Sequence, residues 1–146
     1  VTDRGCLHCN ISSGRVPAYV VYEDEDVVAF LATNPIRPGL SHVVPKQHYS
    51  CFDDLPPALL AKVTLVGQRI AKALKSIYSV KRVGFAFVGG DIQHAYAHVV
   101  PLVAHDDMTS RRYIVEQVIT YQEPPSLPAD EMMDIANKVR AHIKKN

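Results

Sequence analysis

Hydrophobic and polar positions along the chain change period several times, and each change marks an element. Leu59, Leu60, Val63, Val66, Ile70, Leu74 and Ile77 recur at spacings of three and four, which predicts a long amphipathic helix with one buried face. Asp53 and Asp54 precede Pro56-Pro57 at its start, where acidic groups suit the positive end of the helix dipole. Short apolar runs predict strands from Ala18 to Tyr22, Val27 to Leu31, Leu40 to Val44, Arg82 to Val88 and His94 to Pro101. Glu23-Asp24-Glu25-Asp26 reads as a hairpin connection, and the segment from Asn34 to Gly39 breaks any regular element. Residues 1–17 read as a loop around two cysteines, with a turn at Ser12-Ser13-Gly14.

The tail carries a weaker pattern. Arg111 to Gln122 reads as a further strand, followed by the breakers Glu123-Pro124-Pro125. Pro128 suits the first turn of a last helix. Met132, Ile135, Val139 and Ile143 fall on one side of it, with Asp130 and Glu131 early and Lys144-Lys145 at the end, in the order the dipole favours. One long helix between the third and fourth strands and a C-terminal helix define an α+β class with an antiparallel sheet.

Composition narrows the function. A chain of 146 residues with 47% hydrophobic and 21% charged residues is the size of one globular domain. A net charge of +1 provides no broad basic field, so no long nucleic acid is expected as partner. A small anionic ligand needs only local donors and stays open. No apolar run approaches membrane-spanning length and no charged-then-apolar leader opens the chain, which predicts a cytoplasmic protein without a membrane partner. Three cysteines are too few for a disulfide framework. Cys6-Leu7-His8-Cys9 suits metal binding or redox chemistry in a reducing compartment.

Three groups can carry chemistry. The first is His94-Ala95-Tyr96-Ala97-His98. On a strand the side-chain period is two, so His94, Tyr96 and His98 share a face and Ala95, Ala97 and Val99 take the other. Such a row either buries two histidines or works on a ligand. Gly89-Gly90-Asp91 just before it favours the second, because glycines let backbone N–H groups approach a phosphate or carboxylate. The second group is the cysteine pair. Zinc in a closed site takes four nitrogen or sulfur ligands. Two further ones must come from His8, His42, His48, His94, His98, His105 or His142; two thiols that bind nothing are the even alternative. In the third, His42 shares a strand face with Leu40 and Val44 and looks toward the pocket of His98, or else is a plain edge histidine, and Lys46 is a solvated turn lysine.

These pieces resemble the histidine triad (HIT) superfamily. The likeness rests on Val43-Val44-Pro45-Lys46-x-His48, the long helix, the glycine turn and His94-x-Tyr96-x-His98-Val99-Val100-Pro101, with Tyr22-Glu23-Asp24-Glu25, Ala29-Phe30-Leu31 and the Cys-x-x-Cys upstream. It covers roughly residues 6 to 104. The resemblance implies a HIT-like domain over 1–104, with 105–146 as its C-terminal extension. It implies a five-stranded antiparallel sheet and a homodimer whose sheets join into one of ten strands. It further implies a nucleotide-like small-molecule ligand, and hydrolysis or transfer of nucleotidyl groups through a covalent intermediate on the triad's central histidine. In the zinc-containing branch the residues matching Cys6, Cys9, His48 and His94 hold a structural zinc, and all four are present.

The departures lie elsewhere. Tyr96 stands at the nucleophile's position, Ala32 where an acidic residue holds the ribose hydroxyls, Leu40 where an extra pocket histidine is usual, Gly90 where a polar residue is usual, and Asp91 where a small hydroxyl residue is common. A tyrosine hydroxyl, with a reference pKa of about 10, needs a general base before it can attack. The chain is therefore expected to be a hydrolase or transferase with an altered site. Tyr96, His98 and His42 carry the chemistry in that reading, and Gly89, Gly90 and Asp91 hold the ligand. The alternative is a non-catalytic, zinc-stabilised nucleotide-binding module.

Overall fold

Both faces of the central strand are covered, and this sets the architecture. In a computed structural model, residues 5–90, 92–104, 107–108 and 124–145 are described. In chain order the elements are α1 (Leu7–Ser12), β1 (Val20–Glu23), β2 (Val27–Leu31), β3 (Ser41–Pro45), α2 (Pro57–Tyr78), β4 (Arg82–Phe87), β5 (Ala97–Leu102) and α3 (Ala129–Lys144). The strands form one antiparallel sheet in the order β1-β2-β3-β5-β4. This is the expected α+β, five-stranded architecture. The strand expected from Arg111 to Gln122, like Asp91 and His105, lies outside the described residues.

Period-two alternation sorts the side chains. Val27, Ala29, Leu31, Val43, Ala97 and Val99 point to one face and pack against Val63, Val66, Ile70 and Leu74 of α2 and Met132, Ile135 and Val139 of α3. Val28, Phe30 and Val44 point to the other face, where Tyr96 and Ile11 join them. Every residue of β2 is therefore buried. Helices α2 and α3 occupy the first face, which leaves the second for α1 and the site.

Three local expectations are corrected. Residues 7–12 form a helix, not a loop; a six-residue helix is too short to display a hydrophobic period. Asp53 and Asp54 lie in a 3-10 turn at Phe52–Asp54, and the first turn of α2 holds no acid because Pro56 is its N-cap. Strand β5 begins at Ala97, not at His94. Lys46 is also less solitary than expected, since its ammonium pairs with Glu23 at 2.7 Å.

The β1–β2 hairpin is closed by Asp24. Its carboxylate accepts the Asp26 and Val27 N–H groups at 2.8 and 2.9 Å and the Tyr22 hydroxyl at 2.7 Å. Lys62 of α2 adds an ion pair at 3.2 Å. Burial alone would raise the Asp24 pKa, but the Tyr22, Asp26, Val27 and Lys62 donors outweigh it and hold the value at about 2, below its ordinary 3.8. A depressed carboxylate pKa stabilises the fold above the unfolded value and ceases to do so as pH falls through the folded one. Asp24→Asn is predicted to cost about 1–2 kcal/mol at neutral pH and to flatten the acid limb between 3.8 and about 2. Urea unfolding across that range checks both.

Candidate functional site

Four ligand-type side chains converge where α1 meets the loops flanking β3 and β5. Cys6 is the N-cap of α1 and Cys9 lies in its first turn, three residues on, so the two share a face. His48 comes from the loop after β3, and His94 from the segment before β5. The candidate ligand atoms of Cys6, Cys9, His48 and His94 lie within 4.8 Å of one another. Sulfur–nitrogen distances are 3.3 Å for Cys6–His94, 3.4 Å for Cys9–His48 and 3.6 Å for Cys9–His94. Tetrahedral zinc, with bonds of ~2.3 Å to sulfur and ~2.0–2.1 Å to nitrogen, has sulfur–nitrogen edges of about 3.6 Å. His94 Nε2 lies 2.9 Å from the Pro45 carbonyl. A proton there donates to that oxygen and leaves the Nδ1 lone pair toward the thiols, as when a metal-ligating histidine is held in place by a hydrogen bond from its other ring nitrogen. Cys6, Cys9, His48 and His94 thus form a site suited to zinc.

His94 reaches this cluster because the chain has not yet entered β5. Its N–H bonds Ile92 O at 2.8 Å, and the Ala95 N–H bonds Tyr49 O at 2.6 Å. The first folds the segment on itself, and the second ties it to the His48 loop instead of to the β3 ladder. His94 and Tyr96 therefore do not belong to a flat strand row, and only His98 of the three lies on β5.

The sheet itself pairs the other two expected residues. Strand register places Phe30 opposite His42 and His42 opposite His98. The His42 and His98 ring centroids are 4.8 Å apart, and Tyr96 stands 5.1 Å from His42 and 4.8 Å from His98. Burial, together with the neighbouring His98 and His8, pushes the His42 pKa down to about 3. Burial also lowers that of His98. Both rings are neutral at neutral pH, so each offers one donor and one acceptor nitrogen.

His42 and His98 line a cavity of about 510 Å³ whose wall is otherwise largely apolar, with Phe30, Leu31 and Leu40 among its residues. Ala32 lies on the same wall. His8, so far only one of several possible metal ligands, also lines it. The signal for His8 is the helix itself. His8 and Ile11 are three apart, as Cys6 and Cys9 are, so α1 shows one face to the cysteine–histidine cluster and another to the cavity.

The glycine turn lies on the far side of Tyr96. Gly89 has φ +61° and lines a smaller cavity of about 240 Å³ with His94 and Tyr96. A Cβ on Gly90 would stand 3.6 Å from the Tyr96 hydroxyl. The turn thus approaches the tyrosine and is absent from the described wall of the larger cavity. Asp91 lies outside the described residues.

Sheet order, site face and the cysteine–histidine cluster together define an α+β fold with a centre suited to zinc. The chain belongs to the HIT family, whose domain it matches over residues 13–105. An uncharacterized HIT-like protein of Methanocaldococcus jannaschii is 31% identical over 132 residues, which cover 88% of this chain and 95% of that protein. An adenylylsulfatase of Arabidopsis thaliana is 33% identical over 106 residues, 69% of this chain and 54% of that protein. Among solved structures, a zinc-bound histidine triad family protein from Mycobacterium smegmatis superimposes with a TM-score of 0.75 at 27% identity, covering 96% of this chain and 94% of that one. The family match begins after α1, so Cys6, His8 and Cys9 lie outside it. No helix among the described residues is long and apolar enough to cross a membrane.

Proposed function

We propose that the chain hydrolyses or transfers the nucleotidyl part of a phosphate-linked nucleotide, with the nucleoside in the large cavity and chemistry that differs from ordinary attack by a triad histidine. The carrying observation is the cross-strand His42–His98 pair, 4.8 Å apart, on the wall of the 510 Å³ cavity. In this reading neutral His98 takes the proton of an attacking water or acceptor. The new phosphorus–oxygen bond forms as the bond to the leaving group breaks, and His42 donates a hydrogen bond to a phosphoryl oxygen. The Tyr96 hydroxyl, beside the Gly89-Gly90 turn, donates to a second oxygen. The Arabidopsis adenylylsulfatase supports this substrate class by family membership. Zinc held by Cys6, Cys9, His48 and His94 would supply rigidity here, fixing α1 and the His94 segment.

A second reading, a zinc-stabilised nucleotide-binding module without turnover, draws on Tyr96 standing at the position where the triad's nucleophilic histidine is expected. One experiment separates the two. The purified protein is incubated with an adenosine phosphoramidate and with a dinucleoside polyphosphate, and AMP binding is measured by calorimetry. AMP release supports the enzyme; binding without release over hours supports the module; absence of binding overturns the nucleotide reading.

A second copy of the chain is the proposed partner. Strand β4 is a sheet edge, and Phe85 on it and Val88 just past its end are 40% and 62% exposed. Pairing of two β4 edges would bury them within a ten-stranded sheet. Sedimentation as a monomer at tens of micromolar would overturn this. Cys6, Cys9 and Cys51 form no disulfide among the described residues, and such thiols suit a reducing cytoplasm.

A further inference from the structure

Of the imidazoles on the wall of the large cavity, His42 and His98 come from the sheet, and His8 comes from α1. His8 is 1% exposed, and its Nδ1 is buried with no hydrogen-bond partner. Its ring packs edge-on against Tyr96 at 4.4 Å and lies 5.6 Å from His94 and 5.7 Å from Phe30. A phenylalanine would fill such an aromatic niche without burying an unpaired nitrogen, which costs free energy. The nitrogens therefore call for a use that packing does not supply. With Nδ1 shielded, Nε2 is the polar atom left for His8 to present to the cavity. A proton on Nε2 leaves Nδ1 as a bare lone pair among ring surfaces, and a buried unpaired acceptor is tolerated better than a buried unpaired N–H.

We propose that His8 is a ligand-binding residue of the large cavity, donating a hydrogen bond from Nε2 to a phosphate-ester oxygen, with its position set by the Cys6–Cys9 turn of α1. The proposal rests on the nucleotide reading above and deepens it, because it adds a third imidazole to His42 and His98. It also connects the two halves of the site. One turn of chain carries both thiols of the zinc-suited cluster, and His8, one of the two residues between them, reaches the cavity wall. Anything that fixes the thiols fixes His8.

Imidazole ¹⁵N resonances of the zinc-loaded protein test this, followed during titration with AMP and, separately, with inorganic pyrophosphate. A saturable shift of His8 Nε2 is expected. His8→Phe is expected to keep the zinc stoichiometry and melting temperature while weakening AMP binding about tenfold, and His8→Gln, which retains an N–H donor, to recover part of that loss. Should the His8 variants fail to fold, the wild-type titration alone decides. If AMP does not bind but pyrophosphate shifts His8, the nucleotide reading falls and the His8 site stands. An unmoved His8 resonance with both probes, or AMP binding by His8→Phe as tight as wild type, overturns the proposal.

Discussion

Tyr96→His is expected to raise AMP release from an adenosine phosphoramidate by roughly a hundredfold or more over the unaltered chain. The two side chains differ in how they begin the reaction. A neutral imidazole attacks phosphorus without first losing a proton, and the nitrogen–phosphorus bond it forms is labile enough for water to complete the second step. A phenol of ordinary pKa about 10 is ionised to about one part in a thousand at pH 7, and the aryl phosphodiester it would form breaks down more slowly. The setting favours the exchange. Tyr96 stands 4.4 to 5.1 Å from the rings of His8, His98 and His42, so a smaller imidazole enters a space already lined by partners for its second nitrogen. The Gly89-Gly90 turn lies beside the same position. Intact mass after an acid-free quench should show a nucleotidyl adduct in the variant alone. A variant with no faster release and no adduct would show that more than the nucleophile has changed, and would direct attention to Ala32 and Leu40 on the cavity wall.

Legibility followed element length. Helix α2 was readable because seven apolar positions repeat over many turns, and β2 and β3 because their apolar runs end at clear breakers. The pairing of His42 with His98 depends on β3 and β5 being neighbouring strands, a long-range arrangement that periodicity does not report. Helix α1 was hidden by its six residues, and with it the two-faced arrangement that sends Cys6 and Cys9 one way and His8 another. The His94–Tyr96–His98 row looked like one strand because the sequence alternates regularly there. Alternation reports side chains, however, while ladder formation depends on where the backbone N–H groups go. The Ala95 N–H goes to Tyr49 O at 2.6 Å, a partner no local pattern announces. The same bond lets His94 reach the thiols, so the four-residue cluster that the family likeness implies is assembled along a backbone path that alternation does not give.

Removal of zinc is expected to lower stability by about 3 kcal/mol or more and the melting temperature by about 10 °C, without unfolding the chain outright. The distinction comes from where the cluster sits. The main core of sheet, α2 and α3 packs on the opposite face and contains none of the four ligands. The cluster instead joins α1, the His48 loop and the His94 segment, three pieces with few regular backbone bonds between them. Cys9 should be the most sensitive ligand, since its sulfur is fully buried and lies near both histidines, at 3.4 Å from His48 and 3.6 Å from His94. Cys9→Ser should therefore reproduce the effect of chelation, whereas Cys51→Ser, at an exposed thiol, should stay within about 0.5 kcal/mol of the unaltered chain. The loss should also reach the cavity. His42 and His98 are held by strand pairing and will stay, but His8 is held by the α1 turn and Tyr96 by the segment after His94. AMP affinity should fall along with metal content, measured by elemental analysis and calorimetry on the same samples. A chelated protein of unchanged melting temperature, or a purified one that never carries zinc, would remove the metal from this account and leave the cysteine–histidine cluster as hydrogen-bonded packing.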